Sequence, residues 1–197
     1  MNLDEKLALL TGEVEQGLQA YFDNLDFGPS AELGEMLRYH MGWEDGRGGK
    51  RLRPVLTLLC AGACGGDYRS AMPAAMGIEF LHNFTLIHDD IEDNSDTRHG
   101  RPTLWARWGR AQAINAGDAL FSIAQLALLG LEATCDKKIA LLAAREFNQV
   151  CMRLTGGQYL DMVFETRDKV SLEDYLAMIR GKTAALIAFS TWAGGLC

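Results

Sequence analysis

Five carboxylates lie within eight residues near the middle of the chain: Asp89, Asp90, Glu92, Asp93 and Asp96. They follow an apolar stretch with helical periodicity. On a helix Asp89 and Asp93 are about one turn apart, so their side chains share a face and repel each other. Mg²⁺ binds one or two carboxylates and completes its octahedron with water and phosphate oxygens. The cluster therefore predicts a Mg²⁺ site at Asp89 and Asp93, and we expect the substrate to be a diphosphate.

The predicted helix that leads into this cluster also carries a polar stripe. His82, Thr85, Asp89 and Asp93 follow spacings of three, four and four residues, which places them on one face. A lone histidine on a helix is more often a core residue with its hydrogen bonds satisfied. An imidazole, a hydroxyl and two carboxylates on one face are more than a packing surface tolerates unpaired. We therefore interpret the stripe as a binding face.

A basic segment, GGKRLRP, occupies residues 48–54, where Lys50, Arg51 and Arg53 precede the start of an apolar helix. Backbone N–H groups at a helix start and an arginine fork both suit phosphate oxygens. The segment predicts an anion site, although a basic loop is more often a solvated surface. Its spacing does not match the phosphate-binding pattern GxxxxGK[ST].

A second basic segment, RHGRPT at residues 98–103, follows directly after the acidic cluster. Arg98, His99 and Arg101 could bind phosphate beside the metal, or they could balance the charge of the acidic cluster. Both interpretations remain open at this stage. Further along, Gln158 and Asp161 share a helix face in GGQYLDM, and Lys182 and Thr183 follow Gly181; alone, these residues would pass as ordinary exposed helix residues.

Composition excludes several classes of protein. With 197 residues, 48% of them apolar, the chain is long enough to bury a core, and its net charge of −7 argues against general nucleic-acid binding. Five cysteines without metal-ligand spacing indicate reduced thiols and a cytoplasmic location. The longest apolar stretch, Ala119 to Leu131, is shorter than the ~20 residues of a membrane span, so we expect none.

The hydrophobic pattern predicts an all-α protein with a single domain over residues 1–197, because helical periodicity dominates and alternating β-branched runs are absent. The final apolar helix stops without a polar tail, so we expect the chain to be the N-terminal part of a longer protein. Candidate helices cover residues 2–24, 30–41, 51–64, 70–95, 103–109, 111–133, 137–165, 172–180 and 182–195.

The chain resembles the all-trans polyprenyl diphosphate synthases, such as the short-chain farnesyl and geranylgeranyl diphosphate synthases. The resemblance is carried by five segments in order: GGKRLRP, HNFTLIHDDIEDNSDTRHGRPT, INAGD, GGQYLD and GKTAAL. It implies an isoprenoid-synthase helical bundle around a central cavity, and we expect this chain to lack the C-terminal helices of that bundle. It also implies a prenyltransferase that joins isopentenyl diphosphate to an allylic diphosphate, with Mg²⁺ assisting ionisation of the allylic diphosphate.

The resemblance also implies roles for particular residues. Asp89 and Asp93 match the aspartates that hold Mg²⁺ on the allylic diphosphate, with Asp90 in support. Lys50, Arg53 and His82 match the isopentenyl diphosphate site. Arg98 matches an arginine that contacts the allylic diphosphate, and Gln158, Lys182 and Thr183 match residues of the same pocket, where Lys182 would take part in catalysis. No protein base is implied, because the departed diphosphate can accept the proton.

Two features depart from the family pattern. His99 occupies a position where family members commonly have a second arginine in contact with isopentenyl diphosphate. A second aspartate-rich motif, which in the family completes the metal cage from a late helix, is absent from residues 1–197. We therefore expect this chain by itself to be catalytically incomplete.

Phe84 and Thr85 lie five and four residues before Asp89, about one helical turn from the metal site. By the logic of the family, an aromatic residue there forms the floor of the cavity and favours a product of fifteen or twenty carbons. The alternative is simple core packing, because Phe84 is rotated by about 140° from Asp89 around the helix.

Two other functions remain open. One is a non-catalytic subunit or diphosphate-binding protein that keeps the fold, which the missing second motif favours. The other is a class I terpene cyclase, which does not account for GGKRLRP as a site for a second diphosphate. The resemblance also implies a homodimer; helix 111–133 could form its interface, and core burial is equally compatible with its sequence.

Overall fold

The computed structural model describes residues 2–44, 46 and 48–197. Most of these residues are helical, as the sequence predicts. The helices and strands are α1 (Leu3–Asp23), α2 (Ala31–Met41), α3 (Leu52–Ala63), α4 (Met72–Glu92), β1 (Thr97–Arg98), β2 (Arg101–Pro102), α5 (Leu104–Trp108), α6 (Arg110–Leu129), α7 (Lys137–Glu165), α8 (Leu172–Ile179) and α9 (Ala185–Leu196). Short 3₁₀ turns precede α2 and α4 and follow α6.

The chain forms two compact units, each described by itself. The first comprises residues 1–55 and 76–127, and the second comprises residues 56–75 and 128–197. The single domain expected from the sequence remains a prediction.

The core of the first unit begins with a regular stripe on α1. Leu10, Val14, Leu18 and Phe22 recur every four residues and are almost completely buried, as an amphipathic helix requires. A capping box starts this helix, because the Asn2 side chain accepts from the Glu5 amide and the Glu5 carboxylate accepts from the Asn2 amide. Helix α4 adds further core residues: Ile78, Phe80, Leu81 and Ile87.

Helix α7 forms the centre of the second unit. Its bounds, Lys137–Glu165, coincide with the predicted helix, and the Asp136 side chain caps its start by accepting from the Lys138 amide. Phe147 on this helix is fully buried and its ring lies 5.5 Å from that of Phe189 on α9. The same face of α7 contacts the segment between α8 and α9, which is a π-helical turn, Arg180–Ala184. The predicted break at Gly181 is therefore wrong, because the helical chain continues through it.

The β1–β2 hairpin is a feature that the helical pattern did not predict. The two strands pair antiparallel with Arg98 opposite Arg101, and the turn residues His99 and Gly100 have φ values of 51° and 75°. A two-residue turn of this kind needs positive φ at both positions, which glycine adopts freely and histidine tolerates better than most residues. The hairpin matters because directly opposed residues point to the same side of a β-ladder.

Within the described residues, one helix is long and apolar enough to cross a membrane, namely the 24 residues from Arg110 to Ala133. This helix is longer than the apolar stretch Ala119 to Leu131 counted from the sequence, so length alone does not exclude a span, and the expected absence of a span stays a prediction. Core helices of soluble proteins pass the same test of length and composition, so the finding is weak evidence for a span.

Candidate functional site

A cavity of about 320 Å³ in the first unit gathers most of the basic residues singled out in the sequence. It lies between the end of α2, the start of α3, the middle of α4 and the hairpin. Its basic and imidazole residues are His40, Lys50, Arg51, Arg53, His82, Arg98, His99 and Arg101. Glu79 and Asp90 are its acidic lining residues among those the structure describes. Such an excess of positive charge suits an anion with several negative charges.

Lys50, Arg53 and His82, which the sequence predicts as one site, all line this cavity. The Arg53 Nη1 atom lies 3.0 Å from the His82 Nε2 atom, so the guanidinium donates and the imidazole accepts in its neutral form. Burial, and then the charges of Arg53, Arg98 and Arg51, lower the pKa of His82 to about 3. His82 therefore contributes a neutral ring that orients Arg53, while the arginines and Lys50 supply the positive charge.

Arg51 has a different environment from the two basic residues beside it in sequence. Only 2% of Arg51 is exposed, and its guanidinium donates to the carboxylates of Glu15 and Glu79, with Nε–Oε2 and Nη1–Oε1 distances of 2.8 Å each. Its φ of 50° places it in the left-handed region, which costs about 1–2 kcal/mol for a residue with a side chain. The segment GGKRLRP predicts that Arg51 binds the anion together with Lys50 and Arg53, whereas the structure places the Arg51 guanidinium inside the protein.

Asp90 and Arg98 form the second ion pair at this cavity. The Arg98 Nε atom lies 3.0 and 2.9 Å from the two carboxylate oxygens of Asp90, and its Nη2 atom lies 2.8 Å from Oδ1. Asp90 is 3% exposed. The charge-balance interpretation of RHGRPT therefore applies to Arg98. The predicted contact of Arg98 with an allylic diphosphate stays a prediction.

The two carboxylates predicted to hold Mg²⁺ lie at the C-terminal end of α4. Asp89 is half-buried and Asp93 is exposed. The Asp93 amide donates to the Asp89 carbonyl at 2.8 Å, so the helical geometry extends to Asp93 and the two side chains share a face. Among the described residues there is no group of three or more acidic, histidine or cysteine side chains suited to a metal. Two carboxylates fit Mg²⁺ when phosphate and water supply the other ligands.

Only part of the predicted polar stripe on α4 lines the cavity. His82 lines the cavity together with Leu86 and Asp90 of the same helix, whereas Thr85 and Asp89 are not among its lining residues. The Thr85 hydroxyl donates to the His82 carbonyl within the helix. Among the acidic residues of the cluster, Asp90 is the one that faces the cavity.

His40 is a residue of this site that the sequence analysis missed. It lies in the last turn of α2 and lines the cavity, and its Nε2 atom is buried with no hydrogen-bond partner among the described residues. Burial, and then the charge of Arg98, lower the pKa of His40 to about 3, although a hydrogen bond to the backbone of Asn83 opposes this. Its position three residues after the buried Leu37 gave no signal that separated it from a core histidine.

Phe84, predicted to limit product length, is half-buried on α4. Its ring centre lies 4.7 Å from that of His88 and 5.2 Å from that of Phe121. The glycine of INAGD has a related role, because a Cβ at Gly117 would clash with the His88 ring. The INAGD segment thus allows α6 to approach α4 next to Asp89. The role of Phe84 and Thr85 in product length stays a prediction.

The remaining predicted residues lie in the second unit, on two segments that touch through glycines. A Cβ at Gly157 would clash with the backbone nitrogen of Lys182, and a Cβ at Gly181 would lie 2.8 Å from the Arg153 carbonyl. This close approach brings Lys182 to Asp161, and the two side chains form an ion pair. Gln158, half-buried on α7, and Thr183, exposed in the π-helical turn, lie on the same two segments.

Comparison with known proteins identifies the family. The sequence model of the polyprenyl synthetase family matches residues 31–197, and the chain belongs to this family. The helical fold agrees, because the structure of a geranylgeranyl pyrophosphate synthetase from the archaeon Geoglobus acetivorans superimposes with a TM-score of 0.85 at 36% identity, covering 98% of this chain and 59% of the other. A geranylgeranyl pyrophosphate synthetase from Pyrococcus horikoshii gives a TM-score of 0.86 at 34% identity, covering 98% and 57%.

Curated relatives carry the names of short-chain synthases. A (2E,6E)-farnesyl diphosphate synthase from Mycobacterium tuberculosis is 43% identical over 168 residues, covering 82% of this chain and 46% of the relative. A geranylgeranyl diphosphate synthase from Methanosarcina mazei is 45% identical over 150 residues, covering 76% and 45%. The chain thus spans about half the length of the curated relatives it matches.

Proposed function

We propose that the chain is the part of a prenyltransferase that binds isopentenyl diphosphate, for condensation with an allylic diphosphate to a trans prenyl diphosphate. The observation that carries this proposal is the cavity in the first unit, where Lys50, Arg53 and His82 converge with Arg98 and Arg101. The names of the relatives, farnesyl and geranylgeranyl diphosphate synthases, support the same class of reaction.

The cavity suits the diphosphate of a homoallylic substrate because other side chains hold its arginines in place in the absence of a ligand. Arg53 is half-buried and oriented by His82, and Arg101 is held over the Tyr39 ring with its guanidinium carbon 4.7 Å from the ring centre. Arginine forks bind phosphate oxygens in pairs. Pre-oriented cations bind an anion with less loss of side-chain entropy than mobile ones.

Asp89 and Asp93 would hold Mg²⁺ on the allylic diphosphate, which fits their spacing and their exposure at the helix end. When bound, the metal would stabilise the negative charge that grows on the departing diphosphate. Lys182, paired with Asp161, Gln158 and Thr183 would serve the same diphosphate. These assignments rest on the family resemblance and on the residue types.

Product length and assembly belong to the same proposal. A product of fifteen or twenty carbons, limited by Phe84 and Thr85, remains a prediction, and Phe84→Ala should lengthen it.

A homodimer and a cytoplasmic location also remain predictions from the sequence. Leu126 on α6 is 55% exposed, which leaves an apolar side chain available for a partner subunit. Sedimentation analysis of the wild-type chain beside Leu126→Glu would test the dimer.

Calorimetric titration with isopentenyl diphosphate tests the central claim. The wild-type chain should bind it, and Arg53→Gln should weaken binding by about tenfold or more, because a charged hydrogen-bond donor to phosphate is lost. Arg38→Gln is the matched control, since it removes the same charge from an arginine of the same unit whose side chain is 42% exposed and pairs with Asp23. Equal affinity in all three proteins would contradict the proposal.

Adding Mg²⁺ and geranyl diphosphate then separates binding from turnover. Elongated product supports a transferase. Binding without product fits both a catalytically incomplete part of a prenyltransferase and a non-catalytic diphosphate-binding protein. Release of diphosphate together with a hydrocarbon, without isopentenyl diphosphate, would indicate a terpene cyclase instead.

A further inference from the structure

Glu79 is an acidic side chain in a cavity that otherwise suits an anion. It lies on α4, is 3% exposed, and lines the cavity beside Arg53 and His82. A carboxylate at this place repels a diphosphate by simple electrostatics. Its presence therefore needs a structural reason.

The reason is Arg51, which lies between two carboxylates. Its Nη1 atom donates to Glu79 and its Nε atom to Glu15, and its Nη2 atom also donates to the Met41 carbonyl at 3.0 Å. Glu79 additionally accepts from the Asn83 side chain at 3.0 Å, and the Trp43 indole donates to Glu15. Burial alone would lower the pKa of Arg51, but the hydrogen bonds and charges of the two carboxylates outweigh it and raise the pKa above its usual value.

This network holds the backbone of the basic loop in an unusual conformation. Arg51 adopts a φ of 50°, which residues with a side chain rarely adopt unless the surroundings enforce it. Lys50, Arg51 and Arg53 all border the cavity, but the Arg51 side chain is 1% exposed and its guanidinium is turned to Glu15 and Glu79. Gly48 makes room for that guanidinium, because a Cβ there would lie 3.0 Å from the Arg51 Nη2 atom.

We propose that Glu15, Arg51 and Glu79 are positioning residues that orient Lys50 and Arg53 toward the diphosphate without touching it. This inference rests on the proposed function for its ligand. It reaches beyond the family match, since Glu15 precedes the matched residues 31–197 and links helix α1 to the site. The network carries one positive and two negative side chains, so a role in attracting the anion by charge is excluded.

Glu79→Gln separates positioning from electrostatics, because the two predict opposite signs. If Glu79 acted only through its charge, neutralising it would strengthen isopentenyl diphosphate binding. If Glu79 is a positioning residue, Glu79→Gln should weaken binding by about tenfold, the lower end of the loss that follows when the hydrogen-bond partners of metal ligands are altered. Glu32→Gln, the same change at an exposed residue of α2, is the control and should not weaken binding.

Gly48→Ala tests the same network without altering any charge. The added methyl group should shift the Arg51 guanidinium by a few tenths of an ångström and weaken isopentenyl diphosphate binding in the same direction as Glu79→Gln. Gly12→Ala, where a Cβ meets no atom within 4 Å, controls for the substitution itself. Equal or tighter binding by both Glu79→Gln and Gly48→Ala would overturn the inference.

A ligand-free measurement keeps this inference separate from the proposed function. The Arg51 guanidinium N–H signals should exchange slowly in the NMR spectrum of the wild-type chain, because the group is buried and ion-paired. They should exchange quickly in both Glu79→Gln and Glu15→Gln. Glu15→Gln retains the Glu79 carboxylate, so it provides the test if Glu79→Gln fails to fold. A wild-type chain that binds no diphosphate would contradict the proposed function, whereas unchanged exchange in the variants would contradict the network.

Discussion

The Arg98 guanidinium on the hairpin donates hydrogen bonds to both carboxylate oxygens of Asp90 on α4, with nitrogen–oxygen distances of 2.8 to 3.0 Å. The pair is asymmetric, because the Asp90 side chain is 4% exposed whereas that of Arg98 is 30% exposed. Removing Arg98 leaves a nearly buried carboxylate without its guanidinium partner, while removing the Asp90 charge leaves a cation that is in contact with water. The two substitutions should therefore have unequal costs.

We predict that Arg98→Met lowers the free energy of unfolding by about 3–5 kcal/mol, the cost of an unpaired buried charge. Asp90→Asn should cost less, about 1–3 kcal/mol, and the double variant should recover part of the loss from Arg98→Met. Urea unfolding of the four proteins measures this. The exposed Arg38–Asp23 pair provides the control, where Arg38→Met should change stability by less than about 1 kcal/mol. Equal losses of unfolding free energy from Arg98→Met and Asp90→Asn would contradict the asymmetry of this ion pair.

Acid should destabilise the first unit through two histidines. The pKa values of His40 and His82 are lowered to about 3, below the roughly 6.5 of an imidazole in the unfolded chain. Between these values the unfolded chain binds protons that the folded chain does not. The stabilisation is therefore complete above about pH 6.5 and is lost as the pH falls, by up to about 1.4 kcal/mol per pH unit for each ring.

Urea unfolding between pH 7 and pH 5.5 measures this slope before most carboxylates begin to titrate. His82→Gln should reduce the slope by about half, because one of the two low-pKa rings is gone. A slope that His82→Gln leaves unchanged would show that this ring does not titrate with folding.

Adjacent glycines in GGQYLD should respond oppositely to alanine. Gly157 faces the Lys182 backbone, where a Cβ would clash, whereas a Cβ at Gly156 would meet no atom within 4 Å. We predict that Gly157→Ala destabilises the second unit by about 2 kcal/mol or more, since backbone must move. Gly156→Ala should stabilise it by about 0.5–1 kcal/mol, because alanine is the better helix former. Thermal unfolding of both variants measures this difference. Similar shifts in melting temperature for the two variants would contradict the close contact between Gly157 and the Lys182 backbone.

Local sequence signals predicted the helices well but not the partners of side chains. Helix α7 has the predicted bounds because Asp136 caps it and its apolar residues recur with helical spacing. By contrast, nothing within GGKRLRP distinguishes Arg51 from Arg53. The difference arises from Glu15, which lies 36 residues earlier and which only the fold brings to the loop.

The same limit explains two other outcomes. Gly181 is a reasonable helix break by composition, yet the chain remains helical there because it packs against Gly157. The hairpin was missed because two-residue strands have no alternating pattern to detect, and the His99-Gly100 pair was the available signal.

Introducing an arginine at position 99 should strengthen ligand binding. His99 is exposed at the hairpin turn and lines the cavity, so a longer cationic side chain can reach a diphosphate there. We predict that His99→Arg tightens isopentenyl diphosphate binding by about three- to tenfold at low salt, and that the gain shrinks at high salt because the charges are screened. Calorimetric titration at two salt concentrations measures both effects.

The control for this prediction must keep the turn, since position 99 has a φ of 51°. His99→Asn tolerates that conformation and adds no charge, so it should not tighten binding. If His99→Arg also fails to tighten binding while the hairpin remains folded, the bound diphosphate lies beyond reach of position 99. The positive charge of the cavity would then act through Lys50, Arg53 and Arg101, and the histidine in place of the usual arginine would have no effect on affinity.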